Sequence, residues 1–458
     1  MKRYFSWIIA ASFFVSVFAA GNAFATNGYF THGTGTKNKA MAGSGIAMPE
    51  DAIDVTNNPA VAPFVGDQLI FGAALFSPTR KYDTSESLLN GHFGAITIGP
   101  NALNSKSKYF VIPHISKSWQ LSNDSAWALS FYGRGGMSTD WKGGTATFDP
   151  DGPGPAGPTT FEGTYGAGKA GVNLSQAFLD LTWAKKFNDR LSLGIAGVFV
   201  AQTFKANGVM SFAPLTETFA RSGGMEFPAN LSNNGTEWAW GAGLKVGLHA
   251  PISDVLSFGI SYQTKIWMTE FDTYADLFAK QGDFDIPADL KIGVTFRASE
   301  NLALNFDIEH IWFSDIDAIG NPIQDLFNCP SIAGPEGVFS NCLGGDNGAG
   351  FGWDDMTVYK AGVVWKAGED WTWRFGYSYG KQPIPESQMS FNILAPATIQ
   401  SHLTAGFTLS RVKNREWNVA FLYAPNKKVT GPQNFDPTQD VTMQMYQWEV
   451  EVSYGWRF

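Results

Sequence analysis

The chain has 458 residues, of which 16% are charged and 15% aromatic, with 50 glycines and a formal net charge of −9. A charged share so far below the usual quarter speaks against an ordinary soluble exported domain. An acidic chain without a basic run argues against nucleic acid as partner.

In chain order, residues 1–25 read as an export leader. Lys2 and Arg3 form a basic head, 7–20 is apolar, and Ala23-Phe24-Ala25 supplies a small-x-small cleavage site. A membrane anchor is the alternative, but its apolar core would have to be longer. The next segment, 26–67, begins TNGYFTHGTGTKNKAMAGSGIAMPEDAIDVTNNPAVAPF. It is rich in Gly and Ala and has no period-two alternation. Within it, MPEDA has the form of a capped helix start, with Pro49 at a tolerated position.

From residue 68 the pattern changes to alternation. Leu302, Leu304, Phe306 and Ile308 interleave with Ala303, Asn305, Asp307 and Glu309, and Trp417, Val419, Phe421 and Tyr423 with Asn418, Ala420 and Leu422. Such alternation predicts strands with one apolar face. Fourteen segments qualify: 68–80, 108–120, 125–137, 176–188, 191–204, 237–250, 255–270, 286–298, 302–315, 356–367, 371–380, 398–410, 415–428 and 442–458. No segment approaches about 18 uninterrupted apolar residues, so helical spans are not expected.

The connections alternate in length. QLSND, FNDR, PISD, ASEN, AGED and KNRE are short and built of turn formers, whereas long loops follow every odd-numbered strand. A β-sandwich has no reason for such a rhythm. A membrane barrel has one: short periplasmic turns, long outer loops and an even strand number. The expected fold is an all-β, 14-stranded antiparallel transmembrane β-barrel over 68–458, standing in outer-membrane lipid. The last strand fits. Tyr446, Trp448, Val450, Val452, Tyr454, Trp456 and Phe458 would face lipid, aromatics flanking valines, with Glu449 and Glu451 in the lumen.

In one long loop, NCPSIAGPEGVFSNC holds Cys329 and Cys342. In an oxidising compartment two nearby thiols pair, which stabilises such a loop by about 3 kcal/mol. Free thiols or a metal site are the alternative, and no histidine stands nearby.

A simple porin would enter its first strand soon after the leader, so 26–67 reads as a hatch inside the barrel rather than a periplasmic tail. Here the residues resemble a known family. EDAIDVTNNPA, following an A-G-x-G-x-A element, is similar to the N-terminal hatch of the long-chain fatty-acid transporter (FadL) family. DWTWRFGYSYGKQPIP resembles that family's W-T-x-R-x-G strand followed by P-x-P, and the terminal YGWRF its aromatic ending.

The resemblance implies a hatch-plugged monomer of fourteen strands in the bacterial outer membrane that takes up hydrophobic small molecules. Ligand would be captured at outer loops, held in an internal pocket and released sideways through a kinked third strand beside the hatch N-P-A. Carried over, gating falls to Asn58, Pro59 and Ala60, with Gly133, Gly135 and Gly136 of SFYGRGGMS supplying the bend. Ordinary barrel curvature is the other reading of those glycines. The capture groove implies Phe212, Leu215, Phe219, Met225 and Phe227 on the third outer loop, and Trp267, Phe271, Tyr274, Leu277 and Phe278 on the fourth. Loop-on-loop packing is their alternative. Lys205 matches a basic position near the family's pocket, able to hold a carboxylate. A second basic position is missing from FSDIDAIG, which leaves room for an aromatic hydrocarbon in place of a fatty acid.

Lateral release suits such cargo, since apolar chains resist water by about 0.8 kcal/mol per CH2. No cofactor, nucleotide motif or metal-ligand spacing is apparent, so transport should run down a gradient. Arg374 is expected in a lumenal charge network with Asp307 and Glu309. Gly376-Tyr377-Ser378-Tyr379-Gly380 matches G-x-S-x-G but lies on a strand rather than a strand-to-helix elbow. A lipase using Ser378 with His310 or His402, and a general porin, are the readings from other classes.

Overall fold

The computed structural model describes residues 27–150 and 155–458. The leader expected over 1–25 and the 151–154 part of one outer loop lie outside the described residues. Fourteen strands form the wall: β1 (Gln68–Thr84), β2 (Phe110–Ser122), β3 (Ser125–Ser138), β4 (Gly171–Asn188), β5 (Leu191–Asn207), β6 (Glu237–Pro251), β7 (Leu256–Gln263), β8 (Asp289–Ser299), β9 (Leu302–Ile311), β10 (Met356–Lys366), β11 (Trp371–Gly380), β12 (Ser401–Val412), β13 (Arg415–Gln433) and β14 (Asp436–Arg457). Each pairs antiparallel with its chain neighbours. β14 closes on β1 along an unbroken ladder from Gln68 opposite Arg457 to Thr84 opposite Val441. A closed sheet leaves no edge for a bilayer, which has no hydrogen-bond donors or acceptors in its core.

Several strand ends differ from the expected ones, and at four of them the local reason is plain. β7 stops at Gln263, and after a one-residue register shift Trp267 and Met268 run on along β6, opposite Ala242 and Gly241. β9 stops at Ile311 because 313–315 coils into a short helical turn. β13 and β14 run well past their expected outer ends, so the outer loop between them shrinks to 434–435. There Val429, Val441 and Met443 lay an inward apolar row against the molecule's largest hydrophobic cluster. Burial of that row explains why the hairpin continues instead of fraying.

Residue parity on the last strand is as expected: Gln447, Glu449, Glu451 and Ser453 are buried while Tyr446 and Val452 are exposed. The inward face is not polar along its whole length. Towards the short-turn end β14 presents Glu449 and Glu451 inward, and towards the long-loop end Met445 and Met443. β5 changes likewise, from Ser192 and Gly194 to Val198, Val200 and Phe204. The barrel is thus polar inside one half and apolar inside the other.

The polar half is filled by 27–67, folded into short helical turns at Thr36–Lys39, Ala52–Thr56, Pro59–Val61 and Ala62–Val65. Asp54 caps the second turn by accepting from the N–H groups of Glu50 (2.8 Å) and Asp51 (3.0 Å). Charge docks this segment to the wall. Lys37 pairs with Glu416 of β13 at 2.6 Å, and Lys39 with Glu449 and Glu451 of β14 at 2.8 and 2.7 Å. Glu50 pairs with Arg374 of β11, and Asp307 of β9 accepts from the N–H groups of Gly45 and Ile46. Burial opposes the charge on Lys39, but the two glutamates outweigh it and hold the ammonium above its usual range.

Candidate functional site

Above the charged half, loops between strands close over the barrel and meet in an apolar cluster. Phe204 of β5, Phe212, Phe278, Phe351, Phe391 and Leu394 line a cavity of about 40 Å3 within it, and every lining side chain is apolar. Cys329 and Cys342, joined as a disulfide and fully buried, hold one rim of this cap. Cys342 leads directly into Leu343, which lines the cavity and bonds through its backbone to Leu215 and Glu217 of the neighbouring loop.

The residues expected to capture ligand divide into three groups. Phe212 and Phe278 line the cavity, and Phe271 lies behind it with its ring 5.5 Å from that of Phe204. Phe219 and Phe227 meet edge to face at 6.0 Å outside the cavity, with Phe227 63% exposed. Trp267, 58% exposed, lies on the paired stub beside β6. Lys205 does not reach the cavity. On β5 the even positions, including Phe204, are buried, and Lys205 shares the parity of the outward-facing Phe199 and Ile195. One residue of phase moves a strand side chain to the other face.

The ladder between the second and third strands ends early, although the third strand itself continues to Ser138. The β2–β3 ladder runs from Ser122 opposite Ser125 to His114 opposite Tyr132 and ends there, while 110–113 of β2 stay paired with β1. Pro113, which has no N–H to donate, stands at the point of loss. On its other edge β3 keeps β4, with a bulge in which Arg134 is the extra residue between Gly133 and Gly135. Outside the break the wall is resealed by Ser107 and Ser138, whose hydroxyls are 2.7 Å apart, and by the Asp140 backbone N–H donating to Ser105 Oγ at 3.0 Å. The freed edge of β3 bonds inward to the start of the hatch segment. Gly136 N–H donates to the Tyr29 carbonyl at 3.0 Å, and Thr31 N–H to the Arg134 carbonyl at 2.7 Å. Arg134 lies over the Phe30 ring at 4.4 Å.

Asn58, Pro59 and Ala60 are not beside this break. Asn58 donates to the Leu248 carbonyl of β6 (3.0 Å), and Ser192 of β5 donates to the Ala60 carbonyl (2.8 Å). Gly194 and Gly247 leave the room this approach needs, since a Cβ on either would collide with the segment. Tyr29 and Phe30 occupy the place expected for N-P-A. Pro113 in FVIPHIS was the available signal for the broken seam, because a proline inside a strand ends pairing on one side.

Arg374 is lumenal, as its parity indicates, but it pairs with Glu50 and Thr408 rather than with Asp307 or Glu309. Glu309 pairs instead with Lys360 at 2.7 Å. Ser378 Oγ lies 3.0 Å from His402 Nδ1, both fully buried. The other imidazole nitrogen faces Gln447, and no described carboxylate orients the ring. His310 bonds Thr357 at 2.8 Å instead. A nucleophile and base need an orienting partner and access, and neither accompanies this pair.

The comparisons agree with this architecture. The family described as "Outer membrane protein transport protein (OMPP1/FadL/TodX)" matches residues 12–455. A long-chain fatty acid transport protein of Escherichia coli O6:H1 (strain CFT073) is 22% identical, covering 91% of this chain and 89% of its own length. The crystal structure of a Pseudomonas aeruginosa FadL homologue has a TM-score of 0.65 at 16% identity, covering 94% of this chain and 100% of that one. That of the P. putida toluene transporter TodX has a TM-score of 0.61, also at 16% identity, covering 93% and 99%. Those two likenesses show the fold, and the match along the chain shows the lineage. This chain belongs to the OMPP1/FadL/TodX family of outer-membrane transport proteins for hydrophobic compounds.

Proposed function

We propose that the protein carries long-chain fatty acids passively, taking them at the outer loops, holding them in the apolar cavity and releasing them sideways through the break between β2 and β3. One observation carries the reading: a cavity walled only by apolar side chains lies on the lumen side of a wall whose ladder is interrupted. Exposed Met225 and Phe227, with Phe219 against the latter, form the entry surface, since exposed apolar groups of this kind mark binding. The docked segment 27–67 serves as a plug that denies water a direct route. An apolar chain leaving into bilayer avoids the aqueous exit that would oppose it.

A second reading keeps the route and changes the cargo. With Lys205 turned outward, no lysine or arginine lines the apolar cavity, which favours a neutral aromatic hydrocarbon.

Equilibrium binding to purified protein in a non-ionic detergent, with oleate and toluene as probes, tests both. Binding of either supports transport of that class, and failure to bind both would sink the reading. For the exit, deleting Arg134 restores one-to-one register with β4, and Asp289→Asn removes the charge that the deletion orphans. The double variant should bind ligand and yet lose most uptake into cells. Undiminished uptake would rule out lateral release.

A further inference from the structure

Past the aromatic girdle of the wall, one stretch of the outer rim gathers positive charge. On β14 the outward positions run Val450, Trp448, Tyr446, Gln444 and Thr442 towards the long-loop end. Tyr446 is exposed, and the Trp448 ring lies 6.5 Å from that of exposed Tyr109, just ahead of β2. Rings at this level mark where hydrocarbon gives way to headgroups. Gln444, two residues and about 7 Å farther out, is therefore level with the headgroups.

Pairing places lysines on that level. Lys81 of β1 stands opposite Gln444 on one side and Asn104 on the other, and Gln444 stands opposite Lys428 of β13. Lys81 and Lys428 thus share one face and one row, about 10 Å apart at two strand spacings. A bulge between Ala424 and Lys427 leaves Lys427 exposed beside Lys428. Lys106 and Lys108, also exposed, lie in the segment leading from Asn104 to Tyr109. One row farther out, Thr430 and Thr442 add hydroxyls 2.9 Å apart. Acids are fewer here: Asp83 pairs with Lys81 at 2.7 Å, and Asp440 and Glu86 stand farther out. The chain as a whole carries −9. Across the barrel, the outer ends of β10 and β11 set Asp354, Asp355 and Glu386 against Lys381.

We propose that this rim binds the phosphorylated glycolipid of the outer leaflet, with its phosphates on Lys81, Lys427 and Lys428 and an acyl chain against Trp448 and Val450. The partner follows from charge complementarity and from level: a wall standing in the outer membrane meets lipid phosphates just beyond its outer girdle. Each lysine held near an anionic lipid surface strengthens attraction several-fold, and salt screens the effect. A lysine ammonium is a compact charge with three donors on a flexible stem, which lets neighbouring lysines gather on one phosphate. The site lies on the outside of the wall, apart from the cargo route, and holds for a charged or a neutral cargo alike.

The probes are lipid A, the diphosphorylated acyl-glucosamine anchor of that glycolipid, and lipid A stripped of both phosphates. Each is to be titrated into full-length protein in a non-ionic detergent at low salt with a chelator present. Native mass spectrometry counts the lipid carried per barrel. Wild type should prefer the phosphorylated form by about tenfold or more. Lys81→Gln, Lys427→Gln and Lys428→Gln combined should erase that preference, whereas Lys381→Gln on the opposite wall should leave it intact. Equal binding of the two forms by wild type would overturn the proposal, even if the triple variant failed to fold. So would a preference that survives in the triple variant, or one that Lys381→Gln lowers as much, since the attraction would then not belong to this rim. Phosphatidylglycerol binding as tightly as lipid A would overturn the assignment to the glycolipid.

Discussion

Asp51 is fully buried where the hatch segment meets the short-turn end of the wall. Burial raises its carboxyl, Lys37 at 3.6 Å pulls it back, and Glu416 and Glu50 push it up again, leaving it at about 6. An unfolded aspartate titrates near 3.9. Between those values the folded form binds more protons than the unfolded one, so stability from this group is greatest below about pH 4. It is lost as pH rises through about 6. Asp51→Asn should therefore be more stable than wild type at pH 8 and gain nothing below pH 4, as read by thermal unfolding across that range. Parallel curves would mean that Asp51 does not titrate there. The neighbouring ion pairs behave differently: a buried Lys39 that lost its partners would remain charged and uncompensated, at about 3–5 kcal/mol.

At the scale of the element, glycine is what lets the hatch segment lie against the wall. A Cβ at Gly376 of β11 would collide with the backbone of Met41 and Ala42, and backbone cannot swing aside as a flexible side chain can. Gly376→Leu should lower stability by about 1–3 kcal/mol and loosen the segment, seen as faster proteolysis between 27 and 67 in an intact barrel. An unchanged cleavage rate would show that the contact is slack. The third strand teaches a different lesson. Its glycines flank the bulge, in which Arg134 is the extra residue. The element beside it was misassigned, because N-P-A and Tyr29-Phe30 are both small or aromatic runs in one irregular segment. Alternation cannot order such a segment in space.

For the whole molecule, the polar lower half and the apolar cap make two barriers in series. Full-length protein should show little ion conductance in planar bilayers, and a variant lacking 27–65 should show a large ohmic one. High conductance of the full-length protein would favour a general porin instead. The prediction depends on closure of the wall, seen in the ladder from Gln68 to Thr84, and on the charged contacts that seat the segment within it.

Much of this was legible in the residues. Alternation placed lipid-facing and lumenal side chains on fourteen strands, and turn chemistry set which ends were short. The parity of Arg374, Glu449 and Glu451 put them inside, and the two cysteines in one loop implied the disulfide that the structure contains. These are consequences of period two and of local chemistry, and they need no knowledge of what lies across the barrel. Partners across the lumen were not legible. Glu50 on Arg374, Lys39 on Glu449, and Tyr29 on the freed edge of β3 join residues roughly a hundred to several hundred positions apart. The shift of Lys205 to the outer face depended on a single residue of strand phase. Arg80 of β1, buried with its Nη2 unpartnered among the described residues, is of the same kind: a sequence shows a charge on an inward parity, but only the closed barrel decides whether an opposite charge arrives to meet it.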